Sequence, residues 1–262
     1  MKGQIQAFKR YRYLLEDLTI KDIKIKYRRS ILGILWSVLN PLLMMLVITA
    51  VFSLLFRFNI PNYPIYYLTG WVIFNFFSEA TNGAMVSVTS AAQLIKKVYI
   101  PKYIFPLEKA LFALVNMCFS FIAVAIMFLI QGYPLHWTIL LFPIPIFYVF
   151  VFSVGVGMIL GAVAVFFRDI VHLYGVFLTA LMYITPILYD DSVIEQSGHF
   201  AILTIMRCNP LYYFVYFFRQ VVMFGSVPSL KTNLACILMC LASLGLGLLV
   251  FKKAQDKFIL YI

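Results

Sequence analysis

Charge is what this sequence has least of. Asp, Glu, Lys and Arg make up 12% of its 262 residues, about half the share of an average soluble domain. That scarcity excludes a disordered chain and a nucleic-acid-binding domain with a charged coat. It also leaves too little charge to wet the surface of a soluble globule. Four stretches, 30–56, 58–78, 110–167 and 232–251, carry no charged residue at all. A helix crossing a bilayer takes about 20 such residues. Only helices and closed barrels satisfy their backbone in lipid, and a barrel would show alternating segments of about 10 residues. The runs here are long and apolar throughout, so the fold class is an all-α membrane protein.

The signatures of catalysis are also missing. No glycine is followed by lysine, so the chain has no phosphate-cradling G-x-x-x-x-G-K-[ST] loop. It has no H-E-x-x-H and no G-x-S-x-G. Gly155, Gly157 and Gly161 miss the dinucleotide fingerprint by one residue; Gly157 and Gly161 fit the G-x-x-x-G of close helix packing instead. Three of the four cysteines sit in apolar runs as small hydrophobes. Cys236 and Cys240 share a helix face but have no His or carboxylate near them in sequence, so no metal is expected. Cys208 stands alone in its loop, which implies no loop disulfide. The polar, basic first thirty residues do not look like a cleavable signal peptide.

What is present reads as six transmembrane helices, at about 31–56, 66–88, 109–130, 138–165, 172–189 and 231–251. Gln131-Gly132-Tyr133-Pro134 breaks the longest uncharged stretch in two. Seventeen of the 21 Lys and Arg residues fall on one side of this arrangement and four, Arg57, Arg207, Arg219 and Lys231, on the other. The positive-inside rule then places both termini in the cytoplasm, as an even number of crossings requires. Tyr66, Tyr67, Trp71 and Trp137 fall near the outer ends, where an aromatic belt is expected. The net charge of +11 is a matter of topology and anionic membrane lipids, with no nucleic acid implied.

Residues 1–29 form a separate N-terminal unit, ahead of a six-helix transmembrane domain at 30–262. Tyr11, Leu14, Leu15, Leu18 and Ile25 recur at helical spacing between charges, which predicts an amphipathic interfacial helix. It is either a lipid-anchoring collar or the rest for a soluble partner. Segment 190–230 is apolar in short runs, broken at Asn209-Pro210 and ended by Gly225-Ser226-Val227-Pro228. That predicts an extracytoplasmic re-entrant helical hairpin between spans five and six, a gate candidate. Its Asp190, Asp191 and Glu195 are either a cation site or a solvated loop. Glu79 falls inside span two, where a charge faces the bundle interior or water. It is either a paired structural acid or the polar lining of a conduit. Arg219 is its candidate partner, or a site for an anionic substrate.

Three stretches together resemble a family. They are Tyr27-Arg28-Arg29-Ser30-Ile31-Leu32-Gly33-Ile34-Leu35-Trp36-Ser37-Val38-Leu39-Asn40-Pro41; Phe166-Phe167-Arg168-Asp169-Ile170, with Gly175-Val176-Phe177-Leu178 and Thr185-Pro186-Ile187; and Asn209-Pro210-Leu211-Tyr212. In order and spacing they resemble permease subunits of type-2 ABC exporters, in the branch that exports O-antigens, teichoic acids and related polysaccharides. The resemblance runs over nearly the whole chain.

It implies a non-enzymatic half-transporter of a bacterial cytoplasmic membrane. A second copy of the chain would pair with it, and two ABC ATPase subunits, which carry the ATP and Mg, would dock on the cytoplasmic side. The cargo would be a polyprenyl-diphosphate-linked glycan. Within loop 89–108 the coupling helix would fall around 90–99, with Gln93, Ile95, Lys96, Lys97, Val98 and Tyr99 offering an apolar anchor and charges; the two lysines also serve as positive-inside anchors. In this family spans one and five line the conduit, which nominates Trp36, Asn40, Met44 and Phe52, and then Tyr174, Phe177, Leu181 and Thr185. Arg28 and Arg29 at the cytoplasmic mouth would attract the diphosphate or simply snorkel. Asn209, Pro210, Tyr212 and Arg219 would belong to the outer gate. The alternatives are a type-2 ABC permease for drugs or small lipids, a non-transporting scaffold, or a membrane-embedded glycosyl- or phosphotransferase, against which the sparse acids argue.

Overall fold

The computed structural model describes residues 2–28, 30–54, 60–197 and 200–261. Every regular element among them is helical. The main helices are α1 (Lys2–Tyr27), α2 (Trp36–Leu54), α3 (Tyr63–Ser90), α4 (Ala92–Lys97), α5 (Ile104–Ile130) and α6 (Pro143–Phe166), followed by α7 (Ile170–Ile184), α8 (Asp191–Ser197), α9 (Phe200–Cys208), α10 (Pro210–Val222) and α11 (Leu230–Ala254).

The N-terminal helix expected from the sequence is present as α1. Arg12 and Glu16 pair along its surface at 2.8 Å, the i,i+4 spacing that supports a solvated helix. Leu15 and Thr19 are buried where α1 lies on α5. Ile25, grouped with the apolar face in the sequence, is exposed instead. After α1 the chain must turn sharply. Gly33 supplies the turn with φ +51°, and its N–H donates to Ser30 Oγ at 3.2 Å. A short 3-10 turn, Gly33–Leu35, then runs into α2.

Helix α3 is the centre of the bundle. It is buried along its length from Tyr63 to Val88 and packs against α2, α5, α6, α7 and α10. Helix α6 lies between α3 and α11. Small residues bring these axes together. A methyl on Gly157 would sit 2.7 Å from Ala84 Cβ, and one on Gly161 2.9 Å from the Ala84 carbonyl oxygen. On the other face of α6, Gly155 lies against Ser243 and Gly247 of α11. The G-x-x-x-G spacing is thus a packing device, as its place inside an apolar run implies.

Contacts sort the connections into two ends. At one, Asp22 bonds Lys109, Lys102 Nζ donates to the Gln255 carbonyl at 2.5 Å, and Phe166 packs on Phe258. At the other, Tyr133 Oη donates to the Met223 carbonyl at 3.2 Å, Thr138 Oγ1 to the Val221 carbonyl at 2.7 Å, and Tyr63 Oη to the Leu188 carbonyl at 2.9 Å. The first is the lysine-rich end.

Among the described residues, four helical stretches are long and apolar enough to cross a membrane: Gly33–Phe52, Ile104–Ile130, Trp137–Phe166 and Leu230–Leu260. Two of the six expected spans differ from these. Helix α3 has 28 residues, ample length at about 1.5 Å per residue, but carries Asn75, Ser78, Glu79, Thr81 and Asn82. Helix α7 has only 15 residues. It stops at Ile184 because Thr185 precedes Pro186 and is extended (φ −83°, ψ 131°). Residues Thr185 to Leu188 continue as buried irregular chain. Segment 190–230 holds three short helices, α8 to α10, rather than a simple pair. The longest, α10, has 13 residues, far short of a crossing.

The aromatic belt is mostly overturned. Tyr66 and Tyr67 are buried and Trp71 is half-buried, because α3 is central; Trp137 alone of the four faces outward. The α3–α6 contact yields a prediction. Gly161→Leu drives a side chain into the Ala84 backbone and destabilises the chain by about 1–3 kcal/mol. A lowered melting temperature in detergent checks this; an unchanged one means the helices part freely here.

Candidate functional site

A polar cavity of about 450 Å³ lies between the end of α1 and helices α2, α3 and α5. Its polar network starts at Glu79 on α3. Lys26 Nζ, from the last turn of α1, donates to Glu79 Oε1 at 2.8 Å. Asn116 Nδ2 on α5 donates to the same oxygen at 2.8 Å. Tyr27 Oη donates to Asn116 Oδ1 at 3.3 Å and contacts Ser37 Oγ on α2. Ser120 Oγ donates to the Asn116 carbonyl at 3.1 Å. The ammonium of Lys26 also lies 5.3 Å from the Phe112 ring centroid. Four helices are therefore tied through one carboxylate. Trp36, Asn40, Trp71, Asn75 and Ser78 complete the walls.

Glu79 is thus paired, but its partner is Lys26 and not Arg219. The pairing with Arg219 fails because that guanidinium is buried elsewhere, at the opposite end of α3. Its Nη1 donates to the Pro186 carbonyl at 2.6 Å and its Nη2 to the Tyr66 carbonyl at 3.0 Å. Its Cζ stands 3.5 Å from the Tyr66 ring centroid. Gly70 makes room: a methyl there would lie 2.6 Å from Arg219 Nη2. Arg219 makes no ion pair among the described residues. It staples α10 and the 185–188 segment to α3.

The other residues of segment 190–230 join the same assembly. Asn209 caps α10, accepting the Leu211 N–H at 3.0 Å, while its Nδ2 donates to Thr185 Oγ1 at 2.8 Å. It is extended, as a residue before proline should be, and Pro210 begins the helix. Tyr212 Oη donates to Asp191 Oδ2 at 2.5 Å. Burial pushes the Asp191 carboxyl up, and the Tyr212 hydrogen bond holds it partly back. The acidic trio is dispersed among partners: Asp190 accepts from Ser192, Asp191 from Tyr212, and Glu195 pairs with Arg207 at 3.0 Å. Among the described residues no group of three His, Cys, Asp or Glu side chains could hold a metal.

The nominated conduit residues do not form one surface in a single chain. Trp36, Asn40 and Glu79 meet in the cavity. Met44 is exposed on α2, and Phe52 stacks on Tyr63 at 6.2 Å. Tyr174 is buried, donating to Thr81 Oγ1 at 2.7 Å, and exposed Phe177 stacks on it at 5.8 Å. Leu181 is half-buried and Thr185 buried. In the 89–108 connection, α4 presents Gln93, Lys96 and Lys97 outward, with Val98 and Tyr99 exposed beyond it. Ile95 is buried, so the apolar side chains left exposed there are Val98 and Tyr99. Arg28 is exposed; Arg29, like Arg57, lies outside the described residues.

The sequence reading missed Lys26, Tyr27, Asn75 and Asn116. Lone amides inside uncharged runs are a usable signal for Asn75 and Asn116. Lys26 has none, being one of nine basic residues in its segment.

A helical bundle with four stretches long and apolar enough to cross a membrane, a basic end and a polar cavity between its helices fits a membrane transport subunit. The chain belongs to the ABC-2 type transporter family, whose model matches residues 14–223. It is similar to an O-antigen export system permease protein, RfbA, of Myxococcus xanthus, with 27% identity over 97% of both chains. An RfbA permease of Klebsiella pneumoniae is 29% identical over 94% of this chain and 93% of its own. The polysialic acid transport protein KpsM of Escherichia coli is 20% identical over 95% of this chain and 96% of its own.

The Lys26–Glu79 pair can be measured. Both side chains are partly exposed, at 41% and 25%, so the coupling expected is about 1 kcal/mol, the upper end for such pairs. Lys26→Met and Glu79→Gln should each lower thermal stability, and the double variant should lose less than the sum. Additive losses would mean that the two charges do not stabilise each other.

Proposed function

We propose that this chain is the membrane-spanning subunit of an ATP-driven exporter that moves a lipid-linked polysaccharide, of the O-antigen or teichoic-acid kind, out across a bacterial cytoplasmic membrane. The observation that carries this reading is the end-to-end likeness to permeases named for O-antigen export. The chain itself supplies no ATP-binding loop. ATP and Mg then belong to a separate ATPase, two copies of which serve two copies of this chain.

On this reading the lysine-rich end faces the cytoplasm, both termini with it. The six crossings are α2, α3, α5, α6, α7 with the chain that follows it, and α11. The α8–α10 segment is a re-entrant cap on the outer face. Closure of the ATPases pushes on α4 through Lys96, Lys97, Val98 and Tyr99. Asp22–Lys109 and Lys26–Glu79 tie α1 to the same bundle, so α1 moves with α5 and α3. The exposed apolar faces of α2 and α7 meet the second copy and line the path, with Met44 and Phe177 on them. The polar cavity argues against a purely apolar drug as cargo.

Deletion of the chain should leave a polyprenyl-linked glycan stranded inside the cell, and re-expression should restore it to the surface. Surface glycan unaffected by deletion would end the exporter reading. Lys96→Glu with Lys97→Glu should insert normally but co-purify with less ATPase; equal co-purification would confine those lysines to topology. Orientation is read separately. A cysteine at exposed Ser226, in a background without the native cysteines, should react with an impermeant thiol reagent on intact spheroplasts. Labelling only after permeabilisation would invert the topology.

A further inference from the structure

If a glycan passes this chain, some surface must meet sugar, and the polar cavity carries the chemistry for it. Other occupants fit poorly. A cation would find one carboxylate, Glu79, whose Oε1 already accepts from Lys26 and Asn116. A phosphate would find one ammonium, Lys26, already spent on Glu79. An acyl chain has better places, such as the apolar groove where Leu15 and Ile23 of α1 face Leu111 and Leu114 of α5. A polyhydroxylated ring wants flat apolar faces for its C–H groups and planar amides for its hydroxyls. Trp36 and Trp71 supply the indoles. Asn40 and Asn75 line the same space and make no side-chain hydrogen bond among the described residues, so each has two donors and an acceptor to spare. About 450 Å³ lies in the range of small-molecule pockets, roughly 300–1,000 Å³.

We infer that the cavity bounded by α1, α2, α3 and α5 of a single chain is a sugar-binding subsite. It takes a neutral sugar unit between Trp36 and Trp71, with Asn40, Asn75 and Ser78 bonding its hydroxyls. The Lys26–Glu79 pair holds α1 against its open side. The inference rests on the exporter reading and adds where, within one chain, the cargo is held.

The test is photo-crosslinking in cells that express the chain with its ATPase. A diazirine-bearing residue replaces Ser78 in one strain and Leu238, exposed on α11, in another. The probe is the cell's own membrane glycan, detected on the purified chain by periodate oxidation and hydrazide staining. Glycan should be captured at position 78, not at 238, and not in cells blocked at the first glycosyl transfer. Asn40→Leu and Asn75→Leu should each cut the yield about 3- to 10-fold, as expected for a lost hydrogen bond, with insertion and ATPase co-purification unchanged. Capture of phospholipid alone at position 78, or of nothing, while the unmodified chain still exports glycan, would overturn the subsite and leave the exporter reading standing. Surface glycan that persists when the chain is deleted would instead remove the exporter reading itself.

Discussion

A polar group inside an apolar bundle must find a partner or cost several kcal/mol, and in this protein that constraint acts on one helix. Helix α3 is the most buried element and also carries polar side chains through its core. Several take a partner from a neighbouring element. Glu79 takes Lys26 from α1 and Asn116 from α5. Thr81 receives the Tyr174 hydroxyl from α7. The Tyr66 carbonyl takes Arg219 from α10, and Tyr63 reaches the Leu188 carbonyl. Apolar packing brings the helices together without choosing among registers; these bonds specify which turn of each neighbour meets which turn of α3.

The same arrangement separates what is fixed from what is free to move. The trio α3, α6 and α11 is locked by small-residue contacts in which backbones nearly touch. Helices α2 and α7 are shallowly held. Only Tyr174 and Leu178 of α7 are buried, and α2 leaves Leu43, Met44, Leu46 and Val47 exposed. Elements with few buried contacts shift at low cost. Helix α3, by contrast, is buried from Tyr63 to Val88.

Arg219 shows how the far end is secured. A guanidinium has five donors in a rigid fork, and here two of them hold carbonyls from separate segments, Pro186 and Tyr66. The irregular chain after α7 has no helix of its own to satisfy it. Arg219, Tyr63 and Tyr66 donate to its carbonyls from outside, which lets non-helical backbone stay buried beside a bundle.

How much of this was legible depends on the range of the interaction. The membrane class, the N-terminal helix, the extended Asn209 before Pro210 and the close-packing glycines follow from runs, periods and neighbours along the chain, and sequence carries those directly. The helix of span five ends at Ile184, short of its apolar run, because Thr185 precedes Pro186 and is extended. Trp71 and Tyr66 were read as belt residues because their depth is visible in sequence and the face they turn is not. Glu79 was recognisable as a charge in need of a partner. Its partner was not, because Lys26 is 53 positions away and looks like every other lysine around it. The sequence determined which residues must be buried or paired; only the tertiary structure decided with whom, because pairing across helices depends on rotation and register, and these are set by all the contacts at once.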